Sequence, residues 1–264
     1  MIRLDPHMDL QQLADDLIAT HERGHTGFGV YVIRSDEPAA ELARHVEREV
    51  FLEFFGNTPE LLAAEYGPYE SASAFICVID HVLRQPAGVM RIIVPSATGS
   101  KSLHDLEARW GASVDEVMAR SGIELDRAAL WDVATLAVRS EYRGAASGGL
   151  VSLGLFQALA MLGPRSGARW AIAILDVIVL DLIQTEFLRP FTLLDGLTPK
   201  RYLDSPSSLP VLLDAADFES RLRFRAPSMA EILFDGRGLE SVISTPPWDV
   251  GAEVVEVVEA QQIA

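Results

Sequence analysis

The chain has 264 residues, 49% of them hydrophobic, and a formal net charge of -16. That length and apolar share suffice to bury one sizeable core, while so acidic a surface argues against nucleic acid and anionic membrane as partners. Cys77 is the single cysteine, which excludes an intrachain disulfide and a thiolate metal cluster.

In chain order, the opening "MIRLDPHMDL" is too polar and acidic for a signal peptide. Residues 9–22 read as a short amphipathic helix, and "GFGVYVIR" (27–34) reads as a strand. Asp36 and Pro38 resemble a helix start, and Leu42, Val46, Val50 and Phe54 then recur every four residues up to Gly56. "SASAFICVID" (71–80) and "GVMRIIVPS" (88–96) read as strands joined through "HVLRQPA" as a hairpin. Residues 100–122 are helical in pattern, with Leu103, Leu106, Trp110, Val114, Val117 and Met118 as apolar positions. "ALWDVATLAV" (129–138) is a buried strand, and "SEYRGAASGGLVSLGLFQALAML" runs from a turn into a buried helix. "RWAIAIL" (169–175) reads as a strand, "VIVLDLIQTEFL" (177–188) as a helix and "FTLLD" (191–195) as a further strand. "LDSPSSLP" reads as loop and "APSMAEILFD" as a serine-capped short helix, and the tail "AEVVEVVEAQQI" fits a strand or a helix equally.

The resulting order is β-α-β-β-α-β-α-β-α-β with a C-terminal extension, an α+β (α/β) domain with one mixed sheet. Three segments are expected: a helical lead over 1–26, the main domain over 27–215 and the extension over 216–264. Asp176 and Asp181 interrupt the most apolar stretch, so no membrane span is expected and a cytoplasmic protein is. The six histidines lack zinc-ligand spacing with an acid, and there is no G-x-S-x-G elbow, so no metal is expected.

Two readings compete at the turn after residue 138. Arg143, Gly144, Ala145, Ala146, Ser147, Gly148 and Gly149 are one charge and a run of small residues at a helix start, with Ser147 placed to cap it. Unpaired amides and the helix dipole make such a corner a diphosphate site. A tight turn packed with small residues explains the same sequence. The P-loop lysine and hydroxyl are absent, as is the dinucleotide-binding glycine pattern.

"LAVRSEYRG" followed by Arg143-Gly144-Ala145-Ala146-Ser147-Gly148 resembles the acyl-CoA-binding motif of the GNAT superfamily of N-acyltransferases, Q/R-x-x-G-x-G/A, with Ala146 in place of the middle glycine. The element order over 27–195 resembles that family's topology as well. "GVMRIIVPS", with Gly88, Arg91, Pro95 and Ser96, and "WDVATLAV", with Trp131, Asp132 and Val138, resemble strands of the acyl-homoserine-lactone synthases and related N-acyl amino acid synthases; Thr135 stands where their arginine would.

The resemblance implies an acyltransferase enzyme moving an acyl group from acyl-CoA or acetyl-CoA to the amine of a small, amino-acid-like acceptor. It leaves an acyl carrier protein open as donor and a homodimer open as the assembly; the negative charge disfavours docking an acidic carrier. Leu136, Ala137 and Val138 would pair with the pantetheine arm, residues 143–149 would hold the diphosphate, and an N–H near Val138 would polarise the thioester carbonyl. Asp132 would be the base, Arg91 would bind an acceptor carboxylate by a bidentate pair, and Trp131 would bind substrate. For Arg91 a salt bridge within the strand is the equal alternative. The competing readings are a non-catalytic CoA-binding or protein-interaction domain and a protein-lysine acetyltransferase. Glu186 and Phe187 occupy the region where many acetyltransferases carry a catalytic tyrosine, so the leaving group would either depart simply as thiolate or be assisted by Tyr142 or Tyr202.

Overall fold

A computed structural model describes residues 9–21, 25–144 and 147–246. Ala145, Ala146 and the tail 247–264 lie outside the described residues, as do expectations that fall on them.

The chain begins with α1 (Leu10–His21), β1 (Phe28–Arg34), α2 (Ala40–Phe55) and α3 (Pro59–Tyr66). The hairpin of β2 (Ser73–Asp80) and β3 (Gln85–Ile93) follows, then α4 (Lys101–Asp105), α5 (Val114–Arg120) and β4 (Leu130–Val138). Next come α6 (Leu150–Arg165), β5 (Trp170–Asp176), α7 (Val177–Glu186), β6 (Thr192–Leu193), β7 (Lys200–Tyr202) and β8 (Ser205–Asp214). The described chain closes with α8 (Ala215–Arg225), α9 (Pro227–Asp235) and β9 (Ile243–Ser244). One mixed sheet runs β6-β8-β5-β4-β3-β2-β1-β9, with β7 also on β8. The β4–β5 and β1–β9 pairs are parallel and the rest antiparallel.

Each face of the sheet is covered. α6 lies across one face, where Val151, Leu155 and Leu162 pack on Val30, Val78, Met90 and Trp131. Gly88 makes this approach possible, because a Cβ there would stand 2.6 Å from Val151. On the other face α1 and α2 bury Leu17, Leu42, Val46 and Val50 against Tyr31, Phe75, Cys77 and Val89. Phe54, the next residue of that four-residue stripe, is exposed instead.

Three expectations are corrected. Residues 100–122 form two short helical stretches, α4 continued by a π-helical turn over Leu106–Trp110 and then α5, because Gly111 takes a left-handed conformation (φ 67°) that ends the first stretch; the six apolar positions are nonetheless all buried. "LDSPSSLP" is a two-residue hairpin turn followed by β8, a full partner of β5. Pro210 is tolerated there because β7 pairs with β8 up to Ser208 and β6 only from Val211, so Pro210 falls in the gap. The boundary at 215 is no break in the core either. α8 begins at once, its Phe218 and Leu222 join α9 and the α6 residues Leu153, Phe156 and Ala160, and Ile243 and Ser244 then pair with β1 at the opposite sheet edge.

A buried ion pair ties α2 to the sheet. Arg91 on β3 donates through Nε and Nη2 to Glu47 (2.9 and 2.7 Å) and through Nη1 to Glu70 (2.7 Å), and Thr135 of β4 donates to the same Glu47. Breaking such a pair from one side costs about 3–5 kcal/mol, far more than an apolar replacement of similar volume. Arg91→Ala is therefore expected to lower stability by about that amount in denaturant titration, with Arg91→Met milder. Burial pushes the Glu70 carboxyl up, but Arg91 and Arg44 together hold it below its ordinary value of 4.5. Its stabilising charge is complete above that value and is lost as pH falls through the lowered one. Glu70→Gln should thus flatten the decline in melting temperature below about pH 4.5.

Candidate active site

The sheet opens between its two central parallel strands. β4 and β5 pair only at Leu130–Trp170, Trp131–Ala171 and Asp132–Ile172, although both run on for several residues. On the β3 side, β4 carries a bulge: Arg91 pairs with Thr135 and Ile92 with Val133, leaving Ala134 extra. A bulge bends its strand and raises local twist, which turns the end of β4 away from β5. The Tyr66 hydroxyl reaches the Ala134 carbonyl at 3.4 Å, at the bulge itself.

The peptide planes beyond the bulge can be oriented from one bond. The Arg139 amide donates to Ala87 on the β3 side. Across that trans peptide the Val138 carbonyl points the opposite way, and with it the Val138 amide. Leu136 shares this orientation by the two-residue period. Leu136 and Val138 therefore present N–H and C=O groups to the cleft, while Ala137 turns its own to β3 and buries its methyl with α2.

The cleft between the diverging strands is lined by Phe51 and Phe55 of α2, Tyr66, residues 133–136 of β4, residues 174–176 of β5, Val179, Tyr202, Leu203, Ser205 and Ser208. The β7–β8 turn supplies one end. Leu203 and Asp204 both have positive φ (43° and 62°), the combination of a type I′ hairpin turn. Behind the Tyr202 ring, buried Lys101 donates to its hydroxyl (2.8 Å) and pairs with Glu65 and Asp105, while that hydroxyl donates to Asp105 (2.6 Å). This cluster fixes one aromatic wall, and burial holds the Tyr202 phenol strongly protonated.

At the mouth, the loop from β4 to α6 carries Gly144, Gly148 and Gly149, all with positive φ (55°, 60° and 76°) and open space where a side chain would project. Gly149 is the N-cap of α6; Ser147, expected in that place, donates its hydroxyl to the Tyr142 carbonyl instead. The Leu150 amide is satisfied by Ser147, whereas those of Val151 and Ser152 meet no acceptor among the described residues. Arg143 folds back: its Nε donates to the Val138 carbonyl (2.6 Å) and its guanidinium lies 3.9 Å from the centre of the Phe54 ring.

Three expected site residues stand apart from the cleft. Asp132 is fully buried, and both its oxygens are taken by α4: Oδ2 accepts from Ser100 and the Ser102 amide, Oδ1 from the Ser102 hydroxyl. Burial pushes its carboxyl up while those three donors pull it down. Asp132 thus clamps α4 to β4 and is not placed as a base. Arg91 is held in the Glu47–Glu70 pair and packed over the Tyr66 and Phe75 rings, so its fork does not face an acceptor. Trp131 lies on the α6 face, at a purely apolar cavity it shares with Phe156, Leu159, Phe187 and Phe234. Tyr142 is tied to Asp80 and Gln85. The sequence reading missed Phe51, Phe55, Tyr66 and Leu203. α3 carried no strong period, and a Leu-Asp turn lacks the usual hairpin residues.

No family model matches the sequence, and no curated protein does. Solved structures do share the fold. A CoA-dependent acyl-homoserine lactone synthase, BjaI, solved with SAM and isopentyl-CoA, aligns over 87% of this chain and all of its own, with 15% identity and a TM-score of 0.52. FeeM, an N-acyl amino acid synthase from uncultured soil microbes, aligns over 73% of this chain and 93% of its own, with 15% identity and a TM-score of 0.53. The chain therefore has the fold of these N-acyltransferases, as the motif resemblance implied.

The Asp132 clamp and the Arg143–Phe54 contact differ in kind, and stability should show it. Asp132→Ala leaves two hydroxyls and an amide unmet in the interior, each worth about 1–3 kcal/mol. Phe54→Ala removes one exposed cation–π contact, about 0.5–1 kcal/mol. Chemical denaturation is expected to rank them in that order, with at least about 3 kcal/mol for the first.

Proposed function

We propose that the protein is an N-acyltransferase that moves an acyl group from an acyl-CoA thioester to a primary amine by direct attack. The observation that carries this reading is the cleft-facing backbone of Leu136 and Val138, set beside the open glycine loop at the start of α6. The pantetheine arm would pair with that backbone as an added strand. The diphosphate would lie on the loop from Arg143 to Gly149, against the Val151 and Ser152 amides and the helix dipole. The Val138 amide would donate to the thioester oxygen as negative charge develops on it. Holding amine and carbonyl together in the cleft supplies the remaining advantage.

CoA is favoured over an acidic carrier protein by the chain's charge of -16 and by the isopentyl-CoA in the BjaI structure. Arg143 must leave the Val138 carbonyl before pantetheine can use it, and the diphosphate is the ligand that draws it away. A protein without turnover is the reading this closed contact favours, and one experiment separates the two.

Thermal unfolding with acetyl-CoA and longer acyl-CoAs tests binding. A ligand at 100 times its Kd adds about 2.7 kcal/mol, which in a chain of this size is a rise of about 5–10 °C. Gly148→Val, which fills the cradle and strains a positive-φ position, should abolish the rise while leaving the unliganded fold measurable. Thiol release with an amine panel then tests turnover. Stabilisation without thiol release would select the non-catalytic domain, and no stabilisation at millimolar acyl-CoA would remove the donor assignment.

A further inference from the structure

Resting on the transferase reading above, we infer that Asp176 receives the acceptor's ammonium group and that the acceptor is an apolar or aromatic primary amine without a carboxylate. Among the described residues lining the β4–β5 cleft, Asp176 is the one acid, and no Lys, Arg or His stands with it. The remaining lining is apolar or aromatic apart from the hydroxyls of Thr135, Ser205, Ser208 and the two tyrosines.

Its position follows from the strand register. Each β4–β5 pair is offset by 40 positions, as in Leu130 with Trp170 and Asp132 with Ile172. Carried forward, Asp176 stands level with Leu136, across the opening from the amides that face the thioester. The extra residue at Ala134 moves this level by one position at most, to Ala137.

The carboxylate is held but not exhausted. As N-cap of α7, its Oδ1 accepts from the Ile178 amide (2.8 Å), and its Oδ2 accepts from the Ser205 hydroxyl (2.7 Å), which in turn accepts from Ser208 (2.8 Å). Each oxygen keeps a second lone pair. The groups that would answer an acceptor carboxylate are committed elsewhere. Arg91 is bound by Glu47 and Glu70, Lys101 by Glu65 and Asp105 behind the Tyr66 and Tyr202 rings, and Arg143 stands at the mouth on Val138. An amino-acid carboxylate would enter this cleft beside Asp176 with no cation to meet it, a buried unpaired charge.

The step balances. One ammonium proton passes to Asp176, freeing the nitrogen lone pair. The nitrogen attacks the thioester carbon; the C–N bond forms as the C–S bond breaks. The second proton goes from nitrogen to the departing sulfur, and Asp176 releases its proton to solvent.

Phenethylamine and phenylalanine, which differ only in the carboxylate, test the assignment on the full chain, with and without saturating CoA. Calorimetry is expected to show phenethylamine bound at least tenfold more tightly than phenylalanine. Asp176→Asn keeps the helix cap and should weaken the amine at least tenfold. With acyl-CoA present it should cut kcat/KM by roughly 10²–10³-fold at unchanged melting temperature. Ser205→Ala, which loosens the carboxylate without removing it, should fall between. Amine bound through Asp176 with no thiol released would keep the acceptor assignment and sink the transferase reading. Equal binding of the two probes, no binding of phenethylamine by the wild type, or an Asp176→Asn variant within threefold of it would overturn the inference.

Discussion

Everything the cleft can do depends on two parallel strands that pair for three residues and then part. Leu130, Trp131 and Asp132 are locked to β5; from Val133 onward β4 keeps only its antiparallel partner. An unpaired strand edge inside a sheet is costly unless something satisfies it. Here the bulge at Ala134 absorbs the change of direction, and Tyr66 and Arg143 each take one of the carbonyls that β5 no longer reaches. The opening is thus a built feature, and its unfilled donors and acceptors are what a pantetheine arm, itself an amide chain, can complete.

The charged groups around it divide into those that hold the frame and those that face the space. Arg91, Glu47, Glu70, Lys101, Asp105 and Asp132 are buried or half-buried and mutually satisfied. They fix α2 and α4 to the sheet and hold Tyr66 and Tyr202 as walls. Asp176 and Arg143 are the partly exposed exceptions, one on β5 and one at the mouth of β4. This partition sets chemistry apart from stability: the network carries charge without offering it to a ligand.

How much of this could be read from the sequence follows from what each signal encodes. Leu42, Val46 and Val50 announced α2 because a helix face repeats, and "FICVID" announced β2 because a short, β-branched, continuously apolar run fits a strand buried on both faces. The glycine loop at 144–149 was legible because positive φ selects glycine. What stayed hidden was relational. Asp132 and Arg91 sit in motifs that resemble catalytic strands, yet whether their side chains meet a substrate or a neighbour depends on α4 and α2, which sequence spacing does not place. β8 was obscured by its prolines and serines, whose tolerance depends on where β6 and β7 stop. Asp176 stood out in the sequence as a charge interrupting an apolar stretch; that its carboxylate, which caps α7, also looks into the cleft depends on the parting of β4 from β5.

This has a consequence for how the donor would enter. The Val138 carbonyl is the acceptor nearest the diphosphate loop, and Arg143 holds it while resting on Phe54. An arginine there would meet a diphosphate with a full opposite charge and a bidentate geometry that a neutral ring and a single carbonyl do not offer. On the proposed reading, the event that seats the diphosphate would also bare the carbonyl for the arm behind it. Seating would then proceed from the loop inward, and the thioester would reach the Val138 amide last, level with the place where Asp176 would hold the nitrogen.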